Sequence, residues 1–342
     1  MDDNMRFEVN DSTLGQFKTL LINDNKTNSK IEIALRGATL LNYFVKINQE
    51  LFNFIDGFQT PEELEFGKGA RCWIMAPFAN RIENGLYNFL GNTYYLKPNP
   101  PRTQVIHGFT SNVIFKILDM KSSNEKIEIT FYSDILRPGI FDGYPFSVDV
   151  YIKYVFEGLK LNVEVIAKNV GNEPAPFGTG WHPYFKTSEK GIDNLILTIN
   201  ANQLIITDKN LIPLKDENAY GRIDDYPGCD FRETKTIEER VIKNRILDNC
   251  FADLKVDDIG LYSTSLHDTT NGIKISVFQR GGMTLVFSGD TLSERERESL
   301  AIEPVQFMTN AFNRPELVDK IKIAPGGESK FEFGLGVSFA GD

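Results

Sequence analysis

Three histidines occur in the 342-residue chain, and their surroundings differ. His182 stands in Gly178-Thr179-Gly180-Trp181-His182-Pro183-Tyr184-Phe185, a stretch dense in glycine and aromatic residues. His107 follows Val105-Ile106 and precedes Gly108, which permits a tight turn or the close approach of a ligand. His267 lies in the plain polar stretch Ser265-Leu266-His267-Asp268-Thr269. Glu303 ends the apolar approach Ser299-Leu300-Ala301-Ile302, which points a carboxylate at the rim of a buried cleft rather than at open solvent. His182 and Glu303 each precede a proline, and the proline ring pushes the residue before it out of helix and into extended backbone. An imidazole and a carboxylate so held are a proton donor and a proton acceptor, the equipment of general acid–base catalysis. Either one taken alone is more often a structural group.

Two further segments carry groups suited to hydroxyl recognition. Ala76-Pro77-Phe78-Ala79-Asn80-Arg81-Ile82 sets an Asn80-Arg81 pair in apolar surroundings, and a guanidinium offers a rigid fork of donors. Asp248, in Ile246-Leu247-Asp248-Asn249-Cys250-Phe251, is an acceptor of the same kind, and a buried Arg81–Asp248 pair of purely structural role is the competing reading. Cys72, Cys229 and Cys250 are odd in number and widely spaced, without a Cys-x-x-Cys pair, so free thiols are expected and no zinc site.

The elements that must hold these groups are strands. Period-two alternation runs through Ile31 to Leu35, Leu41 to Val45, Lys126 to Tyr132, Ser147 to Phe156, Leu159 to Lys168, Leu195 to Ile199, Ile273 to Phe278 and Thr284 to Phe287. Turn residues such as Glu83-Asn84-Gly85, Glu157-Gly158 and Thr270-Asn271-Gly272 punctuate them in the manner of antiparallel connections. Helical spacing predicts only short pieces, Thr60 to Leu64 and Ser293 to Ser299. A large antiparallel all-β protein follows, read as a single domain over residues 1–342 because no Pro-rich or Ser/Gly-rich linker divides it.

Charge and hydropathy narrow the class. Lys plus Arg number 37 against 47 Asp plus Glu, giving 37 − 47 = −10, the wrong sign for a phosphate backbone, so no nucleic acid partner is expected. No run approaches the roughly 18 apolar residues of a spanning helix, so no membrane partner is expected. Met1-Asp2-Asp3-Asn4-Met5 is acidic where a signal peptide is basic, and a cytoplasmic location is expected.

Asn80-Arg81-Ile82, His107-Gly108, His182-Pro183-Tyr184-Phe185, Asp248 and Glu303-Pro304 occur in the order of the aldose 1-epimerase (galactose mutarotase) family, which the chain resembles over about residues 31–335. Gly37-Ala38-Thr39-Leu40, Tyr144-Pro145-Phe146, the approach from Asn169 to Pro176, Asp230-Phe231-Arg232 and Asn310-Ala311-Phe312-Asn313 are supporting matches. The resemblance implies a galactose mutarotase-like β-supersandwich that interconverts the α and β anomers of a free aldohexose. It implies His182 as the general acid, Glu303 as the base, and Asn80, Arg81, His107 and Asp248 as sugar-binding residues. It implies a monosaccharide partner, with neither metal nor organic cofactor. A protonated His182 beside an ionised Glu303 is expected, with a bell-shaped pH profile whose acidic limb reports the carboxylate and whose basic limb reports the histidine.

The segment from Leu96 to Arg102 is shorter and richer in proline than in galactose mutarotases, His107 is followed by Gly108-Phe109 rather than a second glycine, and Glu303 precedes proline rather than a small polar residue. These departures leave the preferred sugar open. A hexose-6-phosphate mutarotase, with Arg71 and Arg102 as phosphate contacts, and a non-catalytic sugar sensor of the same fold are the alternatives.

Overall fold

The computed structural model describes residues 6–47, 49–98 and 105–339, and within them strands dominate. Three sheets carry the architecture. Phe7–Leu14, Phe17–Asp24, Ser29–Ala34, Thr39–Ile47 and Glu50–Asn53 form an antiparallel meander in sequence order. An eight-stranded outer sheet runs Ile196–Ile199, Tyr262–Asp268, Ile273–Gln279, Glu328–Phe339, Lys160–Asn169, Val148–Phe156, Ile127–Leu136, Lys116–Ser122. A second eight-stranded sheet runs Tyr220–Arg222, Ala201–Ile205, Asp248–Leu254, Met283–Phe287, Leu300–Val305, Gly180–Trp181, Ile74–Met75, with Tyr184–Phe185 also paired to Leu300–Val305.

The alternation read from sequence is what the outer sheet buries. Ile129, Tyr154, Val163 and Phe333 lie opposite one another across four strands and are all buried, while Thr130, Lys153 and Glu164 between them turn outward. Aromatic contacts join the layers. Trp181 stacks on Phe333 with ring centroids 5.5 Å apart, and Tyr43 of the meander meets Phe156 edge-on at 5.9 Å.

Of the two short helices expected, the first forms as Pro61–Phe66. Thr60 caps it by accepting from the Glu63 amide, Pro61 opens its first turn, and Gly67 at φ +65° closes it. The second does not form. Residues 293–299 are bends and turns, with Arg295 and Arg297 at positive φ. Their side chains explain this: Arg295 reaches the buried Asp56 and Glu63, and Arg297 reaches Asp193 and Asp290, so ion pairs outside the segment capture what local propensity favours as helix. No helix among the described residues is long and apolar enough to cross a membrane.

Candidate active site

His182 and Glu303 are brought together by strand register. Leu300–Val305 pairs with Gly180–Trp181 through Gly180 opposite Val305 and with Tyr184–Phe185 through Tyr184 opposite Ala301, so His182 falls opposite Glu303. Pro183 and Pro304 have no N–H to complete that ladder, which stays open between the two residues; the Ile302 amide alone donates to the Pro183 carbonyl, at 3.3 Å. Directly opposed residues share a face of the sheet. The His182 Nε2 lies 3.4 Å from the Glu303 Oε1.

The same rows extend across the sheet. Glu303 lies opposite Leu285 on its other side, and the His182 amide donates to the Trp73 carbonyl, giving a line Leu285, Glu303, His182, Trp73. The neighbouring line runs Asp248, Phe287, Ala301, Tyr184. Alternate residues Val286, Ile302 and Trp181 point the other way and are fully buried in the core. One face of the sheet is therefore packing and the other is a site.

Arg81, Asn80 and His107 arrive from two loops laid beside this face. The His107 amide donates to the Asn80 carbonyl at 2.9 Å, Arg81 bridges Ile106, and the Phe109 amide donates to Ala76 at 2.7 Å. Asn80 (φ +55°), His107 (φ +60°) and Gly108 (φ +63°) all adopt left-handed backbone; a Cβ on Gly108 would run into the Ala76 carbonyl. The Asn80 Oδ1 accepts from both the amide and the Nη1 of Arg81 at 2.9 Å, which fixes the guanidinium. Asn310 supports this corner, donating its amide to the Arg81 carbonyl and accepting from the Glu83 amide.

All six sequence-derived residues, Asn80, Arg81, His107, His182, Asp248 and Glu303, line one cavity of about 380 Å³, within the size range of small-molecule sites. Trp73, Tyr184, Leu285, Phe287 and Leu292 supply its apolar walls. Sequence reasoning gave these no role; Tyr184 stands two residues after His182, and so on its side of the strand, whereas Trp73 joins the site only through pairing that the sequence does not show. The His107 ring meets His182 edge-on at 5.1 Å, and Tyr184 stacks on His182, also at 5.1 Å. His267 lies on the outer sheet opposite Ile196 and Lys274, away from the cavity.

The charge state differs from expectation. Burial, reinforced by the Arg71 cation, pulls the His182 imidazole down to about 3. Burial, then the nearby Asp248 carboxylate, pushes Glu303 well above the ordinary carboxylate range, with Arg81 opposing. Asp248 is itself raised by burial against the pull of Arg81. Burial thus favours the neutral imidazole and the neutral carboxylic acid over two ions. Both forms carry the same number of protons, so the reversal concerns where the shared one sits. The buried Glu303 Oε2 has no hydrogen-bond partner among the described residues, leaving an acceptor to be satisfied by a ligand.

Arg71 does not face the cavity as a phosphate contact would. It is 2% exposed, donates from Nη1 to the Asp56 carbonyl at 3.1 Å and pairs with the Asp56 carboxylate. Arg102, the other suggested contact, lies outside the described residues. The three cysteines are unpaired, and burial raises the Cys72 thiol to about 12, so none is poised as a nucleophile.

The family model for aldose 1-epimerase matches residues 19–335. YihR of Escherichia coli K12, an uncharacterized protein, is 26% identical over 255 residues, 74% of each chain. Among solved structures, the GalM/aldose epimerase homologue from C. elegans superposes with a TM-score of 0.78 at 20% identity, covering 96% of this chain and 99% of that one. Galactose 1-epimerase from Lactobacillus acidophilus NCFM gives 0.79 at 16% identity, covering 98% and 99%. At these identities the structural likeness establishes the galactose mutarotase-like β fold.

Proposed function

The chain belongs to the aldose 1-epimerase family, and from that premise we propose that it interconverts the α and β anomers of a free aldohexose by acid–base ring opening and reclosure. The observation that carries this reading is the buried His182–Glu303 pair, opposed in register on the wall of the cavity. Opening a cyclic hemiacetal takes one proton from the O1 hydroxyl and delivers one to the ring oxygen O5, while the C1–O5 bond breaks and O1 becomes a carbonyl. Rotation about C1–C2 and reclosure on the other face invert the anomer. A pair sharing one proton is sufficient for both halves of the cycle.

In the roles the resemblance implies, His182 protonates O5 and Glu303 accepts the O1 proton. Sugar hydroxyls entering the cavity bring polar partners to the pair, including a donor for the Glu303 Oε2. That favours transfer of the resting proton from Glu303 to His182, and the sugar itself thus brings the pair into its reactive form. Arg81, Asn80, His107 and Asp248 hold the remaining hydroxyls.

The pH dependence follows from the directions of shift. In the sugar-free protein the one-proton pair persists until His182 takes a second proton at low pH or Glu303 loses its proton at high pH. A plot of kcat/KM, which reports free-enzyme groups, is expected to have its acidic limb displaced well below the ordinary histidine range toward about 3, and its alkaline limb above the ordinary carboxylate range. A limb near 6.5, the ordinary histidine value, would contradict the burial argument.

The charge of the cavity distinguishes free sugars from hexose phosphates. Arg81 is the sole lysine or arginine lining it among the described residues, and the Asp248 carboxylate shares the space. Like-charge juxtaposition costs up to several kcal/mol, so a hexose 6-phosphate is expected to react at least about ten-fold more slowly, in kcat/KM, than the corresponding free hexose. Polarimetry on pure anomers of free and phosphorylated sugars tests the reading; faster turnover of the phosphates would shift it to the second substrate class.

A further inference from the structure

A buried charged cluster lies behind the cavity wall, outside the groups assigned so far. Asp56, 3% exposed, pairs with Arg71, accepts from the Arg295 Nη1 at 2.5 Å and from the Ser299 hydroxyl at 2.6 Å. Arg295 also donates to Glu63 at 2.7 Å and to the Gly57 carbonyl at 3.0 Å. Two arginines meet two carboxylates, and hydrogen bonds hold the cluster rigid. It ends on an aromatic ring: the Arg71 guanidinium sits over Tyr184, 4.7 Å from the ring centroid. The Tyr184 hydroxyl donates to the Gly69 carbonyl at 3.0 Å, and its ring is stacked against His182 at an interplanar angle of 25°.

We propose that Arg71 is a positioning residue, whose guanidinium, fixed by Asp56, presses on Tyr184 and through it holds the His182 imidazole against Glu303. This rests on the acid–base reading above and deepens it. The geometry argues for more than packing. An imidazole can turn about its own side-chain bonds, and a proton passes between Nε2 and Oε1 only while the ring faces the carboxyl group. Tyr184 is pinned at its hydroxyl and over its ring, so the surface against which His182 stacks cannot move away. The guanidinium also sets a fixed positive charge near the imidazole, the second influence after burial that keeps the ring neutral at rest. The other groups facing His182 are Glu303 from the adjoining strand and His107 from the neighbouring loop, with Cys72 bonding the His182 carbonyl through its amide.

Arg71→Met is expected to lower kcat at least ten-fold while KM changes less than three-fold, since Arg71 does not line the cavity. It should also move the protonation of His182 upward in pH, because a cation that opposes the imidazolium has been removed. Arg71→Lys, which keeps the charge and loses the planar fork, should restore the low protonation range without restoring full turnover. Nitrogen NMR of His182 in the sugar-free protein reads tautomer and titration without any catalytic assay, and so separates failure of this proposal from failure of the epimerase reading. If Arg71→Met does not fold, Tyr184→Phe removes only the anchor to Gly69 and should lower kcat about three-fold or more with altered His182 nitrogen shifts. Wild-type kcat and an unmoved His182 titration in folded Arg71→Met, or wild-type kcat and shifts in Tyr184→Phe, would overturn the proposal.

Discussion

Replacing Glu303 by Gln, or His182 by Asn, is expected to lower turnover at least about 10²-fold, the low end of what a positioned acid or base contributes. Both changes nearly conserve size, and the flanking backbone ladder through Gly180, Ala301, Tyr184 and Val305 does not depend on either side chain, so the fold should persist. The two groups share one proton and act as a unit. The double variant should therefore be little slower than the worse single one, as is the rule for residues that serve one step. Initial rates by polarimetry, with circular dichroism to confirm folding, check this. Wild-type turnover in either folded variant would remove that residue from the mechanism.

The second large effect belongs to Arg81 and Asp248. Each faces the cavity from a different element, Arg81 from the loop held by Asn80 and Asp248 from the start of the strand Asp248–Leu254. Arg81→Met removes a polar partner from the sugar, and Asp248→Asn replaces a charged acceptor by a neutral amide, each at a cost of about 1–3 kcal/mol. That corresponds to roughly 5–150-fold in KM, with kcat less affected. Asp248→Asn carries a second signature. Because the Asp248 carboxylate helps keep Glu303 protonated, its removal should bring the alkaline limb of kcat/KM to lower pH. An unchanged KM and alkaline limb would mean that Asp248 has only a structural role.

Much of this site was legible in the chain because its chemistry is marked by backbone-determining neighbours. The prolines after His182 and Glu303 announce extended backbone, and the same prolines leave the ladder open where the two side chains meet. The glycine after His107 announces a strained corner, which proves to be where the loop packs on Ala76. What could not be read was register. Nothing local in the sequence says that His182 falls opposite Glu303 or that Trp73 continues the row, since pairing is set by non-local burial.

The charge state departs from the sequence expectation for a related reason: proximity argues for ions, while the depth of burial, invisible in the sequence, favours the neutral forms. Arg71 enters the sequence reading only as a phosphate contact of the alternative hexose-phosphate enzyme, because its partners Asp56 and Tyr184 are distant in sequence. Several supporting matches to the family turn out to be scaffold. The Tyr144 hydroxyl donates to the Pro176 carbonyl, Asn169 bonds Glu173 and Ile323, and Asn310 braces the Arg81 loop.

The central claim is that this chain opens and recloses a hemiacetal by proton transfer between oxygen atoms, with no carbon–hydrogen bond broken. Exchange NMR of an equilibrated aldohexose in deuterated water tests it most directly. The account predicts that catalytic amounts of the protein accelerate exchange between the α and β anomeric signals while the C1 and C2 protons keep full intensity, and that Glu303→Gln suppresses the acceleration. No acceleration for any free aldohexose, or loss of the C2 proton to deuterium, would contradict it.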